Sequence, residues 1–161
     1  MEHPTKVFDE WAISGKDKGM EISHADSVSE ILDYALSRLK TIDNKFTFLD
    51  IGCGNGWVVD KLSRKENCTL AAGIDGADNM IINANKRESK GTFLLKDIND
   101  FKIETKFDLI FSMEVLYYLE DPYEVIKKTY ELLNPNGRFI IGIDHYFENE
   151  DCHNWQEKVG T

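Results

Sequence analysis

The chain has 161 residues, the length of one ordinary domain with a single hydrophobic core. Hydrophobic residues make up 42% and charged residues 30% of it, and 29 acidic against 19 basic residues give a net charge of −10. An acidic surface repels a nucleic-acid backbone, no apolar run reaches the roughly 18–20 residues of a membrane span, and the three cysteines include no C-x-x-C pair. These features disfavour nucleic-acid, membrane and metal-binding functions and favour a cytoplasmic protein with reduced thiols.

Short apolar segments alternate with amphipathic ones along the chain. The apolar segments predict strands over 46–51, 70–74, 92–95, 107–112 and 139–143. The first helix is predicted to begin at Ser27, which can form a capping box with Glu30. We expect the 26 residues before it to be irregular or partly helical.

The later helices carry their own start signals. A second helix is predicted over 57–62, a third is predicted to be capped by Asp78, and a fourth by Asp121 with Pro122 at its first position. The fourth is expected to run through Leu133, and turn residues follow over 134–137. This alternation predicts βαβ crossovers, and so an α/β protein with a parallel sheet and helices on both faces.

A glycine-rich turn follows the first predicted strand, in the sequence LDIGCGNG. The spacing of Gly52, Gly54 and Gly56 is G-x-G-x-G, whereas a nicotinamide dinucleotide site uses G-x-G-x-x-G, which would place its third glycine at Trp57. A turn without a ligand is the alternative, but it needs fewer glycines. Asp50, near the end of the strand, would repel a pyrophosphate and suits a cationic ligand that has no phosphate. S-adenosylmethionine, with its ammonium and sulfonium groups, is such a ligand.

Two further acids follow the next two predicted strands. Asp75 lies nineteen residues after Gly56, where a carboxylate can accept both hydroxyl groups of a ribose. The alternative role for Asp75 is to cap the following helix. Asp97 can accept the exocyclic amine of adenine, and Ile98 can cover the ring.

The motifs LDIGCGNG, GIDGADNM, KDIND and FSMEVLYYL, in this order, resemble those of the class I S-adenosylmethionine-dependent methyltransferases. The resemblance implies a Rossmann-like, doubly wound sheet in strand order 3-2-1-4-5 with the cofactor at the carboxyl ends of the strands. It implies that Asp50 and the three glycines line the methionine part, that Asp75 holds the ribose, and that Asp97, Ile98 and Met80 surround the adenine. Within the same motifs, the further expected cofactor contacts are Cys53, Asn55, Gly76 and Met113.

The expected acceptor side of the site follows the fourth and fifth strands. The Asn/Asp-Pro-Pro-Tyr motif of superfamily members that methylate adenine or glutamine nitrogen is absent there. The candidate catalytic residues are Glu114, Tyr117 and His145. Glu114 is expected near the ammonium or the methyl group, Tyr117 with Tyr118 near the sulfonium or the substrate, and His145 as a proton acceptor. The alternatives are tyrosines that pack the chain and a histidine that faces solvent.

The resemblance also bears on the organisation of the chain. Residues 1–26 are expected to form a lid that carries Trp11 and His24, and residues 27–161 the methyltransferase core. The usual antiparallel strand pair beside the fifth strand has no counterpart in the sequence, so either the chain continues in a longer protein or a second copy covers that edge. The acidic charge and the aromatic acceptor side favour a small-molecule acceptor. The alternatives are a protein or RNA acceptor brought by a partner, and a module that binds the cofactor without methyl transfer.

Overall fold

The computed structural model describes residues 4–119, 121–144 and 148–149. The strands are β1 Phe46–Ile51, β2 Cys68–Asp75, β3 Thr92–Leu95, β4 Phe107–Met113 and β5 Leu133–Gly142. The helices are α1 Pro4–Ser14, α2 Asp17–Ser37, α3 Trp57–Ser63, α4 Asp78–Asn85 and α5 Pro122–Glu131. Within these residues the strands form one parallel sheet in the order β3-β2-β1-β4-β5, which confirms the predicted architecture.

Apolar side chains cover both faces of the sheet, as the near-continuous apolar strands of a parallel sheet require. Phe46 and Phe48 of β1 pack in one cluster with residues of α2, α3 and α4. Leu49 and Ile51 belong to a second cluster on the opposite face. Since side chains alternate along a strand, Asp50 lies on the face of Phe46 and Phe48, at the carboxyl end of the sheet.

The helix predicted to begin at Ser27 begins at Asp17 instead, and it runs through the expected boundary between residues 26 and 27. The capping box is therefore wrong: Ser27 lies inside α2, and its hydroxyl donates to the carbonyl oxygen of His24 at 3.1 Å. The preceding α1 ends before Gly15, whose φ of 75° is the left-handed conformation that commonly ends a helix. The 26 residues expected to be irregular or partly helical are therefore mostly helical where they are described.

The start of α4 also differs from the prediction. Asp78 is the first helical residue, and the N-cap residue is Ala77, which has no side chain that could cap the helix. Asp9 of α1 takes this role, because its Oδ1 accepts the backbone N–H of Asn79 at 2.6 Å and its Oδ2 accepts the side-chain amide of the same residue at 2.8 Å. The cap of α4 therefore comes from a residue 70 positions away and fixes α1 against α4.

The start of α5 agrees with the prediction, whereas its end does not. Asp121 accepts hydrogen bonds from the backbone N–H groups of Tyr123 and Glu124 at 3.0 and 3.2 Å. Leu133, expected in the helix, is instead the first residue of β5 and pairs with Phe107. The next strand pair joins residues 109 and 138, so residues 134–137 form an irregularity within β5 and not a turn before it.

Candidate functional site

Three glycines in the left-handed region form the turn between β1 and α3. The φ angles of Gly52, Gly54 and Gly56 are 77°, 52° and 78°. A Cβ atom at Gly52 would lie 2.3 Å from the Val115 side chain, and one at Gly56 would lie 2.5 Å from the Phe93 ring. The close packing of the protein itself therefore accounts for these two glycines.

Gly54 differs from its two neighbours in the turn. A Cβ atom at Gly54 would meet no described atom closer than the Met80 sulfur, at 3.9 Å. The missing side chain thus leaves open space beside the backbone. A ligand can approach the chain closely at this point, as the sequence predicts.

Asp75 lies beside this open space, and Asp50 lies close enough to Asp75 to interact with it electrostatically. Asp50 is 3% exposed, and none of the described residues donates a hydrogen bond to it. Burial, together with the nearby Asp75, raises the pKa of Asp50 to about 8. Asp75 is half-buried; its Oδ2 accepts the N–H of Gly54 and its Oδ1 that of Ala77, both at 2.8 Å. Burial raises the pKa of Asp75 as well, while these backbone bonds oppose the rise.

The high pKa of Asp50 gives a testable dependence of stability on pH. The unfolded chain loses the Asp50 proton near the ordinary pKa of 3.8, whereas the folded protein keeps it up to about pH 8. The folded state thus binds more protons over this range, and the contribution of Asp50 to stability falls as the pH rises from about 4 to 8.

We therefore expect Asp50→Asn to be as stable as the wild type at about pH 4 and increasingly more stable than the wild type up to about pH 8. Urea unfolding at several pH values in this range measures the difference in unfolding free energy. A difference that stays constant with pH would show that Asp50 titrates normally in the folded protein.

The residues expected around an adenine ring are less enclosed. Asp97 is exposed, and its Oδ1 accepts the N–H of Asn99 at 2.8 Å in a local turn. Ile98 is half-buried against the second core cluster. Met80 is 2% exposed and packs in a third cluster. Of these three side chains, only Met80 has a position that the structure relates directly to the glycine turn, through its distance from Gly54.

The other expected cofactor contacts have clear structural surroundings. Cys53 is buried against Gly73, and burial raises the pKa of its thiol. The side-chain amide of Asn55 is bonded to Asp17. A Cβ atom at Gly76 would lie 2.6 Å from Thr5 of α1, and one at Gly142 would lie 2.1 Å from the sulfur of Met113. The side chains of Cys53 and Asn55 are thus engaged within the protein.

The N-terminal helices reach residues at the carboxyl ends of the strands. Phe8 of α1 makes edge-to-face contacts with Trp11, at a ring-centroid distance of 5.6 Å, and with Tyr118, at 5.2 Å. His24 of α2 lies 3.3 Å from a carboxylate oxygen of Asp144, which follows β5. Trp11 and His24, the two candidates from the sequence, are therefore both on this side of the sheet.

Glu114, which follows β4, is held in an uncommon conformation. Its φ is 58°, a left-handed value that costs energy for a residue with a side chain. Its carboxylate accepts hydrogen bonds from the Tyr117 hydroxyl and from the backbone N–H of Asp144. Burial raises the pKa of Glu114, although both hydrogen bonds oppose the rise. The carboxyl ends of β4 and β5 are thus joined at a partly buried carboxyl group.

Tyr117 and Tyr118 lie side by side in a short 3-10 turn, Leu116–Tyr118, with ring centroids 4.3 Å apart. Burial and the hydrogen bond to Glu114 raise the pKa of the Tyr117 phenol well above its ordinary value. The Tyr117 hydroxyl therefore keeps its proton at neutral pH and acts as a hydrogen-bond donor. The third catalytic candidate, His145, lies outside the described residues.

Two residues that shape this site have no signal in the sequence. Asp9 and Asp17, on the N-terminal helices, bond to α4 and to the glycine turn across 70 and 38 positions.

None of the helices in the part of the chain that the structure describes has both the length and the apolar character that a membrane span requires. No group of three or more His, Cys, Asp or Glu side chains in the same part is arranged to hold a metal ion.

Comparisons with known proteins agree on one family. Residues 49–141 match the model of a methyltransferase domain. A ubiquinone biosynthesis O-methyltransferase of Coxiella burnetii is 31% identical over 114 residues, 65% of this chain and 48% of that protein. The chain spans about half the length of the curated relatives it matches.

Two solved structures are similar over most of the chain. One is from the complex between the Haloferax volcanii Trm112 methyltransferase activator and a methyltransferase; it has a TM-score of 0.80 and 31% identity, with coverage of 95% of this chain and 67% of that chain. The other is the N-methyltransferase NodS from Bradyrhizobium japonicum WM9 in complex with S-adenosyl-L-homocysteine. Its TM-score is 0.72 at 25% identity, with coverage of 87% of this chain and 72% of that chain.

Proposed function

The chain belongs to the class I S-adenosylmethionine-dependent methyltransferases, and we propose that the protein transfers the methyl group of S-adenosylmethionine to a small-molecule acceptor. The observation that carries this proposal is the open space beside Gly54, whose N–H donates to Asp75, with Asp50 close to Asp75. Asp50 is buried and Asp75 is half-buried, and among the described residues no basic side chain is hydrogen-bonded to either carboxyl group; this suits a ligand that is cationic and lacks phosphates.

Each acid has a distinct role in this proposal. Asp50 lacks hydrogen-bond donors among the described residues, so its carboxyl group is available to the ammonium group of the methionine part, whose positive charge would favour loss of the Asp50 proton on binding. The two oxygens of Asp75 each accept one backbone N–H, and each keeps further acceptor capacity for the ribose hydroxyls. The N–H of Gly54 thus places the ribose acceptor directly beside the glycine turn.

The expected adenine contacts remain part of the proposal. Asp97 would accept the exocyclic amine, with Ile98 and Met80 on either side of the ring. The complex of NodS with S-adenosyl-L-homocysteine supports a ligand of this type in a similar fold. In the local turn, Asn99 donates to Oδ1 of Asp97, so Oδ2 of Asp97 keeps its capacity to accept a hydrogen bond from the adenine amine.

Methyl transfer requires little covalent chemistry from the protein. When bound, S-adenosylmethionine would supply a methyl group activated by its sulfonium; the bond to the acceptor atom would form as the carbon–sulfur bond breaks and leaves its electron pair on sulfur. The protein contributes positioning and the exclusion of water. Phe8, Trp11 and Tyr118 supply an aromatic cover on this side of the sheet, consistent with a lid formed by α1 and the start of α2.

The acceptor side lies around Glu114. We propose that Glu114 contacts the ammonium or the acceptor and that Tyr117 donates the hydrogen bond that fixes the Glu114 carboxyl. His145, as a proton acceptor, completes the proposed catalytic set. A raised pKa lets the Glu114 carboxyl take up a proton closer to neutral pH than an exposed glutamate would.

A small-molecule acceptor is supported by the name of the Coxiella burnetii relative, a ubiquinone biosynthesis O-methyltransferase. A partner-dependent methyltransferase is the second candidate, because the Haloferax volcanii neighbour was solved together with the Trm112 activator. Formation of S-adenosylhomocysteine, measured with a panel of hydroxylated aromatics and small carboxylic acids, tests the first proposal.

We expect turnover of at least one panel member by the protein alone. The Asp75→Ala variant serves as the control for background hydrolysis, since its cofactor site is impaired. Turnover that appears only after addition of an activator protein would favour the second candidate and contradict the first.

A further inference from the structure

A buried polar cluster connects α2 to the glycine turn. Asp17, the first residue of α2, is 5% exposed. Its Oδ2 accepts the side-chain amide of Asn55 at 3.1 Å and that of Asn83 at 3.4 Å. One carboxylate oxygen thus joins the N-terminal helices, the glycine turn and α4.

Asn55 is held from a second direction as well. The Arg87 Nε donates to the carbonyl oxygen of Asn55 at 2.7 Å, and the guanidinium of Arg87 pairs with Glu21 of α2. Asn55 stands between Gly54 and Gly56, which both have positive φ angles. Fixing the side chain and the carbonyl of Asn55 therefore restricts the backbone of both glycines.

The arrangement at Asp17 carries an energetic cost. Its Oδ1 is buried and has no hydrogen-bond partner among the described residues. A buried acceptor without a donor destabilises a protein, and the position of Asp17 at the amino end of α2 offsets this only in part. An apolar residue would avoid the cost but could not hold Asn55.

We propose that Asp17 is a positioning residue for the cofactor turn: through Asn55 it holds Gly54 and Gly56 in the conformation that receives the ligand. This inference rests on the proposed function, because the ligand in question is S-adenosylmethionine. The packing of α2 against the glycine turn and the conformation of that turn are then coupled. The affinity for S-adenosylmethionine then depends on the side chain of Asp17, which lies on α2 and is hydrogen-bonded to Asn55 in the turn.

The test compares Asp17→Ala with Asp26→Ala, which removes an exposed acid from the same helix. We expect Asp17→Ala to raise the dissociation constant for S-adenosylhomocysteine by about tenfold or more, as the loss of hydrogen bonds to a carboxylate implies. Asp26→Ala should bind as the wild type does. Asp17→Asn keeps an acceptor for Asn55 and should restore most of the affinity.

Hydrogen exchange separates positioning from general stability. In ligand-free Asp17→Ala, the backbone amides of residues 53–56 should exchange faster, while those of β1 and β4 should remain as protected as in the wild type. Asn55→Ala removes the other partner of the contact, and its effect on affinity should not add to that of Asp17→Ala. If Asp17→Ala does not fold, Asn55→Ala tests the same contact from the other side.

The proposal would be overturned if amide exchange in the turn is unchanged in Asp17→Ala and this variant also binds with wild-type affinity. It would equally be overturned if exchange is unchanged and the effects of Asp17→Ala and Asn55→Ala on affinity add. If the wild-type protein binds no S-adenosylhomocysteine, the proposed function fails. Exchange in the ligand-free variants then still decides whether Asp17 holds the turn.

Discussion

Gly54→Ala is expected to weaken the binding of S-adenosylmethionine about ten- to a hundredfold while the protein remains folded. The new methyl group would meet no described protein atom closer than 3.9 Å, so it would occupy the space left for the ligand. Overfilling a packed contact costs about 1–3 kcal/mol, and about 1.4 kcal/mol corresponds to tenfold in affinity. The φ of 52° adds a folding penalty of about 1–2 kcal/mol for a residue with a Cβ atom.

Gly56→Ala is the matched control in the same turn. Its Cβ atom would lie 2.5 Å from the Phe93 ring and 2.8 Å from the Cβ of Ala84, and its φ is 78°. Steric overlap and the left-handed backbone together should lower the unfolding free energy by about 2–5 kcal/mol. Calorimetric titration measures the affinity of each variant, and urea unfolding measures its stability. Wild-type affinity in Gly54→Ala would show that the space beside this glycine is not the ligand site.

Asp75→Ala should lower the affinity for S-adenosylmethionine about ten- to a hundredfold, since hydrogen bonds to a charged group contribute about 1.5–3 kcal/mol. The substitution removes the proposed acceptor of the ribose hydroxyls. It also leaves the N–H groups of Gly54 and Ala77 without their acceptor, which loosens the turn that the ligand contacts. Both effects act in the same direction on affinity.

Asp97→Ala provides the comparison for Asp75→Ala. Asp97 is also an acid that follows a strand, but it is exposed and is proposed to make a single bond, to the adenine amine. Its loss should therefore reduce affinity less than the loss of Asp75. A folded Asp75→Ala protein with an unchanged dissociation constant would assign Asp75 to the support of the α4 start alone.

The sheet was predictable from the sequence because every strand contains a short apolar run. β1 and β3 have the predicted bounds, and the remaining strands differ at their ends. The limits of β5 were missed because Asn134 to Gly137 has the composition of a turn, and Asn136 does adopt a φ of 66°. These residues therefore do turn the backbone, but the turn is an irregularity within the pairing of β5 with β4.

The start of α2 was missed for a different reason. Ser27 and Glu30 have the spacing of a capping box, yet a serine inside a helix can instead bond to a preceding carbonyl, as Ser27 does with His24. Gly15 was the usable sequence signal for the end of α1, since glycine commonly ends a helix with a positive φ, as it does here. The start of α2 two residues later has no such signal in the sequence.

Contiguous motifs gave the core of the candidate site. Asp50, the three glycines and Asp75 can be read from a strand and a turn, and the structure places them together. Asp9 and Asp17 cannot be read in this way, because their partners lie far along the chain and the contacts arise only when α1 and α2 pack on α4. Long-range side-chain contacts leave no periodic pattern in the sequence.

The open space beside Gly54 is the proposed binding site for S-adenosylmethionine. Calorimetric titration of the wild-type chain with S-adenosylmethionine, and in parallel with NADH, tests this proposal most directly. We expect one S-adenosylmethionine per chain with a dissociation constant of about 1 mM or tighter, and no heat of binding with NADH. Tight binding of NADH with no response to S-adenosylmethionine would contradict the account.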